Sequence, residues 1–596
     1  LLINRIKIVD NMKKKHYITA ACFSLMSLFT TSCLDLQPQA QLNDSLVWTT
    51  AENFQLFSNQ FYGWTRDFYL SGTATYGNGF SDGPHSDFRS DLMVSSSSIN
   101  VYSQGTNSIP STDDNYTNLY KRIYYTNILL NRAEGFGDQA AIAVPVGEAK
   151  FFRAYLHFEL VQIWGNAVLL TQPLDIDSQE LYGPRNDRGE VIDQIILDLQ
   201  DAAELLPENA SEEGRLTKGA ALAMLSRVAL YEGTWQKFHT NGADATSNTE
   251  RSTELLTIAK DAANQVIASG NYSLFYNEAL GNESYRYMFI LEDGVQCNPA
   301  NLSKSANNEY ILSHRHRYSD RLSTNITHAI LEGSCGLTRK LANMYLCSDG
   351  LPIEKSSQFK GYANPTDEYQ NRDNRMSNTF LVHGTKFWDN ESATSRTSWT
   401  DADLEKARTA DVRSGTGYRP YKYAIERQAQ DNFESMDFPV IRYAEVLLNY
   451  AEAAYELNGN ISDADLDMSL NLVRQRVNPN MPKLSNSLVS ANGLSMREEI
   501  RRERTVELIM EGYRIDDLKR WATAETEMPQ DQLGVQMTGT WFETNWAAQP
   551  LPLNGEGCII YYTDRTWGDR NYLYPLPSDQ MQLNPELGQN PGWGNN

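Results

Sequence analysis

The chain has 596 residues, 41% of them hydrophobic and 21% charged, enough for a sizeable core and unlike a broadly disordered sequence. Its 52 Lys and Arg face 75 Asp and Glu, a net charge of -23 with no compensating basic stripe. Such a chain repels phosphate backbones, so no nucleic-acid partner is expected. The 32 Tyr and 11 Trp, among frequent Asn and Gln, suit sugar or peptide recognition, although a tyrosine-rich core has the same composition.

Taken in chain order, the first feature is "KKKHYITAACFSLMSLFTTSC", a basic run (Lys13 to Lys15), an apolar stretch (Ile18 to Phe29) and then a cysteine. The stretch is short for a bilayer span and has the layout of a secretory signal. Cys33 after Thr31 and Ser32 is the expected lipid anchor, although Thr30 replaces the usual Leu. Met12 is the expected start, with "LLINRIKIVDN" an over-extension of the reading frame. Residues 1–32 are thus read as upstream extension plus signal, and 33–46 as a polar tether. Residues 47–270 are read as an N-terminal part with helix pairs. Residues 271–596 form a C-terminal part with variable loops, packed with the first as one globular unit.

"WTTAENFQLFSNQFYGW" opens a helix with Thr49 and Glu52 at capping-box spacing. Loops follow from Leu70 to Asn115, rich in Gly, Ser, Asp and Asn. Helices are predicted over "NLYKRIYYTNILLNRAE", "VGEAKFFRAYLHFELVQIWG", "NDRGEVIDQIILDLQDAAELLP" and "LTKGAALAMLSRVALYEG". In the third, Ile192, Ile195, Ile196, Leu199, Ala202, Ala203 and Leu206 recur every three or four residues, an amphipathic stripe facing a core. "ELLTIAKDAANQVIASG" and "RYAEVLLNYAEAAYELNG" repeat the pattern. Helix pairs with alanine contacts point to a mainly α fold of stacked tetratricopeptide-like hairpins with little β structure. Between about Asn271 and Gln430 the helical pattern gives way to a long, aromatic, loop-rich region of the kind that carries function.

Catalytic motifs are absent. "GRLTKGA" lacks a phosphate-loop ending, "GTGYRP" lacks a dinucleotide fingerprint, and "EGSCG" is not a nucleophile elbow. "DADLDM" has Met468 where a calcium loop needs Gly and reads as a helix start. Cys297, Cys335, Cys347 and Cys558 match no zinc or redox spacing, and their pairing is open. "HRHR" places His314 and His316 on one face of a strand. Exposed basic residues are the favoured reading over a metal or anion site, so neither metal nor cofactor is expected.

"RRERTVELIMEGYRIDDLKRW", Arg501 to Trp521, crowds Glu503, Arg504, Glu507, Glu511, Arg514, Asp516, Asp517, Lys519 and Arg520 around Gly512. Read as one helix, it has Val506, Ile509, Met510 and Tyr513 as its apolar stripe. Exposed neighbours of opposite charge would contribute about 0.2–0.5 kcal/mol each. Gly512 costs about 1 kcal/mol against Ala and implies a close backbone neighbour. With neither a nucleophile nor an isolated carboxylate, the segment is scaffold.

This same segment resembles the hallmark C-terminal helix of RagB/SusD-family outer-membrane lipoproteins. "FFRAYLHFELVQIWGNAVLLTQPL", "GRLTKGAALAMLSRVALYEG", "LTRKLANMYLCSDGLPIE", "FPVIRYAEVLLNYAEAAYELNG", "LNLVRQR" and "YLYPLPSDQMQLNPELGQNPGW" are similar to further family stretches, in order. "RDNR" and "RVNPNMP" depart from the family pattern in scaffold segments. The resemblance implies a non-enzymatic, lipid-anchored, surface-exposed protein of the outer membrane. It would bind glycan, or in some members oligopeptide, and load a SusC-like TonB-dependent transporter through a fold of four tetratricopeptide-like helix pairs. It transfers no ligand residues, which lie in variable loops.

Sugar rings stack on aromatic faces while polar neighbours take their hydroxyls. Two stretches offer that mixture: Tyr76, Asn78, Phe80, Asp82 and Arg89 in "ATYGNGFSDGPHSDFRSD", and Tyr285, Tyr287, Tyr318, Trp388 and Asn390 in the central loops. Trp48, Trp164 and Trp521 read as core. The alternatives to a polysaccharide or oligosaccharide ligand are an oligopeptide and, from a different class, a surface glycosidase with two carboxylates across a cleft.

Overall fold

The computed structural model describes residues 47–594, apart from 69–82, 96–99, 242–245, 319–322, 332–334, 383–384, 386–415, 431 and 546–551. Leu1–Phe54 and Gln55–Asn596 form two compact units. In the first, the Thr50 hydroxyl accepts from the Asn53 N–H (3.3 Å), and the helix starts at Ala51.

The second unit is mainly helical, and periodicity explains why. Helices α1 (Asp114–Glu134), α2 (Ala143–Trp164), α3 (Arg188–Leu205), α4 (Lys218–Phe238) and α5 (Thr249–Ser269) pack each on the next. Asp113, Asp187, Thr217 and Asn248 cap the free N–H groups of α1, α3, α4 and α5. Gly270, at φ 67°, ends α5 in the left-handed region. The whole predicted stripe of α3, from Ile192 to Leu206, is buried. Helix α6 (Tyr443–Asn458) then returns against α5, with Ala229, Ala259 and Ala453 allowing close approach beside Leu230 and Leu256. This is the expected tetratricopeptide-like array. Trp164 and Trp521 are in its core, as expected.

Among the described residues, three two-stranded antiparallel sheets supply the small β content. They pair β1 (Met93–Ser95) with β3 (Cys335–Leu337), β2 (Tyr310–His314) with β4 (Phe438–Arg442), and β5 (Gln532–Gln536) with β6 (Cys558–Tyr562). In the second sheet Tyr310 faces Arg442 and His314 faces Phe438, with irregularities between. Cys297, Cys335, Cys347 and Cys558 are free, buried thiols, and burial pushes Cys335 up to about 12.

The hallmark segment is not one helix. Helix α7 (Met496–Leu508) stops, Met510 (φ 67°) and Gly512 (φ 79°) turn the chain, and α8 (Arg514–Arg520) resumes. Gly512 serves a positive-φ turn, and its carbonyl accepts from Arg66 at 3.3 Å. Its charges are also buried rather than exposed. Arg442, at the end of β4, reaches Glu309 Oε1, Glu507 Oε1 and Glu511 Oε2, each at 2.7 Å. Arg476 bonds Glu309 (2.7 Å) and Glu507. Arg375 bonds Asp373 and Glu503 at 2.6 Å and Glu507 at 2.8 Å, Arg474 bonds Glu503 at 2.9 Å, and Lys422 bonds Glu511 at 2.6 Å. Five buried cations (Arg375, Lys422, Arg442, Arg474, Arg476) thus meet six buried anions (Glu309, Asp373, Glu499, Glu503, Glu507, Glu511), and the half-buried Arg502, 3.3 Å from Glu499, supplies the sixth positive charge. A second group pairs Arg504 and Arg520 with Asp517, and Arg520 with Glu452. The predicted scaffold role stands, but the partners are remote in sequence, and a helical-neighbour estimate does not apply.

Arg442→Ala leaves three carboxylates short of their shared cation, and the expected loss is about 3–5 kcal/mol in urea unfolding. Acid is expected to weaken the same scaffold. Burial alone would raise the carboxyls of Glu159 and Glu452, but Arg66 with His85, and Arg520, outweigh it and hold both at about 2. In the unfolded chain these groups bind protons near 4.5, so below that pH the unfolded state holds more protons. Their contribution is complete above that value, and the urea midpoint is expected to fall as pH drops from about 4.5 towards about 2.

Candidate ligand-binding face

The sequence places its aromatic candidates in two stretches, and burial separates them. Tyr76, Asn78, Phe80, Asp82, Trp388 and Asn390 lie outside the described residues. Tyr285 is fully buried, its hydroxyl donating to the Glu507 carbonyl at 2.6 Å under the ion network. Tyr287 is buried too, its hydroxyl 3.1 Å from Glu426 Oε2. Arg89 is buried with its guanidinium 3.5 Å from the centre of the Tyr102 ring, and it donates to the Tyr574 hydroxyl at 3.0 Å. These three expectations are corrected: each residue packs inward and offers no face to a ligand, because apolar ring area and buried hydrogen bonds together favour the core.

Tyr318 is different. It is half-buried, four residues beyond the end of β2, while Phe433 stands five residues before the start of β4 and is 53% exposed. Because β2 and β4 run antiparallel with His314 opposite Phe438, both rings emerge at the same end of the sheet. Their centroids are 6.4 Å apart at an interplanar angle of 33°. The opposite end of this sheet is Glu309 and Arg442, inside the ion network.

A buried carboxylate fixes the pair. Glu292 accepts from the Tyr318 hydroxyl (2.8 Å), from Arg427 Nε (2.7 Å) and Nη2 (2.9 Å), and from the Ser435 N–H (2.8 Å). Arg427 also donates to the Phe433 carbonyl at 2.6 Å and to the Tyr318 hydroxyl oxygen. Burial and then the Glu292 charge push the Tyr318 phenol well up, so it stays a neutral donor. Burial alone would lower the Arg427 guanidinium, but hydrogen bonds to Glu292 and its charge raise it.

Beside the rings an open cleft of about 270 Å³ is lined by Gln296, Cys297, Asn298, Pro299, Glu426 and Arg427. Glu426 is held from behind by Arg286 and by the Tyr287 and Tyr421 hydroxyls at 3.1 Å. Tyr287 therefore supports the cleft without facing it. Two neighbouring rings beside amides, a carboxylate and a guanidinium match what a sugar needs, a hydrophobic face and fixed hydroxyl partners. Both acidic groups are bound by arginine, an arrangement for accepting hydrogen bonds.

Residues 301–593 match the SusD family, and residues 34–230 match a family described as starch-binding associating with outer membrane. The chain belongs to the SusD-like family. SusD-like protein P25 of Formosa agariphila is 32% identical over 133 residues, 21% of this chain and 24% of its own length. A SusD-like protein of Bacteroides ovatus is 26% identical over 238 residues, 38% of this chain and 40% of its own length. The chain thus matches less than half the length of these relatives. Among solved structures, a SusD-like carbohydrate binding protein of Bacteroides fragilis superposes with a TM-score of 0.70 at 22% identity, covering 91% of this chain and all of that one. Surface glycan-binding protein A of Bacteroides fluxus gives 0.59 at 18% identity, covering 91% of this chain and 100% of that one. These likenesses establish the SusD-like fold.

Sequence reading missed Phe433, although "DNFES" is an aromatic residue inside a polar run like those it selected. It also missed Glu292 and Arg427, which no local pattern marks. Arg427→Ala would strip a fully buried carboxylate of its cation, and about 3 kcal/mol of stability is expected to go. Phe433→Ala, on an exposed ring, should stay within about 0.5 kcal/mol. Paired urea titrations read both.

Proposed function

We propose that this SusD-like protein is a non-enzymatic, surface-exposed lipoprotein, anchored through Cys33. It captures an oligosaccharide or polysaccharide and delivers it to a SusC-like TonB-dependent transporter. The observation that carries the reading is the Tyr318–Phe433 pair beside the cleft of Gln296, Asn298, Glu426 and Arg427. The starch-binding family description and the carbohydrate binding protein of similar fold support it, as does the secretory layout ahead of Cys33. Among the described residues no helix is long and apolar enough to cross a membrane, and a lipid anchor supplies the attachment this reading requires. Tyr76, Asn78, Phe80, Asp82, Trp388 and Asn390, which lie outside the described residues, belong to the same proposal as further ligand contacts.

Affinity electrophoresis through gels containing different polysaccharides tests this directly. Retardation by at least one polysaccharide is expected. Phe433→Ala should weaken that interaction roughly tenfold, about 1.4 kcal/mol. Binding of oligopeptides with no retardation by any glycan would overturn the ligand class. Release of reducing sugar from a retarding polysaccharide would overturn the non-enzymatic reading.

A further inference from the structure

The sequence reading made His314 and His316 exposed basic residues; the structure turns both inward. His316 is 5% exposed and lies beyond the end of β2, and the His314 side chain is 18% exposed. Across from them stands Asp67, 5% exposed. One potential ligand atom from each of the three lies within 4.8 Å of the other two. Asp67 Oδ1 is 2.9 Å from His316 Nε2, and Asp67 Oδ2 is 3.9 Å from His314 Nε2. Two imidazoles therefore present their outer nitrogens to a single carboxylate.

Thr65 Oγ1 lies within hydrogen-bond reach of both the Tyr62 carbonyl (3.3 Å) and His314 Nδ1 (2.9 Å). When the hydroxyl donates to the carbonyl, its oxygen accepts from His314 Nδ1–H, and the lone pair of His314 Nε2 then faces the Asp67 carboxylate. Two electron-rich atoms so placed repel unless a cation lies between them. Two nearby cations are engaged elsewhere: Lys304 Nζ is 2.5 Å from Asp437 Oδ1, and Arg315 reaches Asp437 and Glu213. A hydrogen bond on Nδ1 that orients Nε2 is the outer-shell arrangement found around metal-bound histidine.

We propose that Asp67, His314 and His316 bind a divalent transition cation of the zinc class. Two imidazole nitrogens and one carboxylate suit such an ion, whereas calcium and magnesium take oxygen ligands. Metal–ligand bonds of about 2.0–2.1 Å in tetrahedral geometry set neighbouring ligand atoms roughly 3.3 Å apart. The present nitrogen–carboxylate separations of 2.9 and 3.9 Å straddle that value, and all three ligand atoms lie within 4.8 Å of one another. The partial exposure of His314 leaves the fourth position to water. The ion joins the segment that carries Asp67 to the extension of β2 that carries Tyr318, and so acts as a staple at the base of the candidate face. The proposal is independent of which ligand that face takes.

Cobalt(II) titration of the purified, EDTA-treated full chain reads the site through the intense visible bands of four-coordinate Co2+. One equivalent is expected to bind, to be displaced by Zn2+, and to raise the melting temperature. His314→Gln with His316→Gln should abolish the bands and the stabilisation, while leaving the metal-free melting temperature close to that of the parent. Bands that persist in the double variant, or none in the parent, would overturn the assignment. X-ray absorption of the zinc-loaded parent needs no variant. Two imidazoles in the first shell are expected, and a shell with fewer than two would contradict the site.

Discussion

Arg442 holds three carboxylates, Glu309, Glu507 and Glu511, in a region where neither it nor they meet water. Charges in such a place are costly to desolvate, and they persist because every one is matched and hydrogen-bonded. The partners come from β4, from the residue before β2, from α7 and from the turn that follows α7. One guanidinium therefore joins parts of the chain that lie far apart in sequence, 65 residues between Arg442 and Glu507 and 133 between Arg442 and Glu309. A hydrophobic core of the same size would tolerate sliding. A lattice of directional ion pairs admits one register.

That register determines where the candidate face stands. Glu309 and Arg442 pin one end of the β2–β4 pair, and the antiparallel geometry delivers Tyr318 and Phe433 at the other. A rigid array of helices and a neutralised charge lattice thus carry a few irregular residues whose side chains remain available. The charge lattice and the candidate face occupy opposite ends of the same short sheet. Loops can vary in such a design without disturbing the scaffold that presents them.

Much of the helical array was legible in the sequence, because burial on one face leaves a periodic trace: the α3 stripe from Ile192 to Leu206 appears intact in the core. The hallmark segment was legible as scaffold and misread in detail. Alternating Glu and Arg look like a solvated helix when their only visible neighbours are on the same helix; their real partners, Arg375, Arg442 and Arg476, lie far away in sequence. Gly512 looked like an interior glycine because nothing local announces that Met510 beside it also adopts a positive φ. The aromatic candidates show the same limit. Tyr285, Tyr287 and Tyr318 share a polar context in sequence, and only the packing of β2 and β4 distinguishes the buried rings from the available one.

Hydrogen–deuterium exchange with and without a retained glycan tests the central claim, that a fixed charge lattice presents recognition at the far end of the β2–β4 pair. The account predicts slow exchange throughout 496–521 in both states, with ligand protection around 292–299, 316–318 and 426–435. Protection centred on α1 to α5, or fast exchange in 496–521 that slows only on binding, would contradict it.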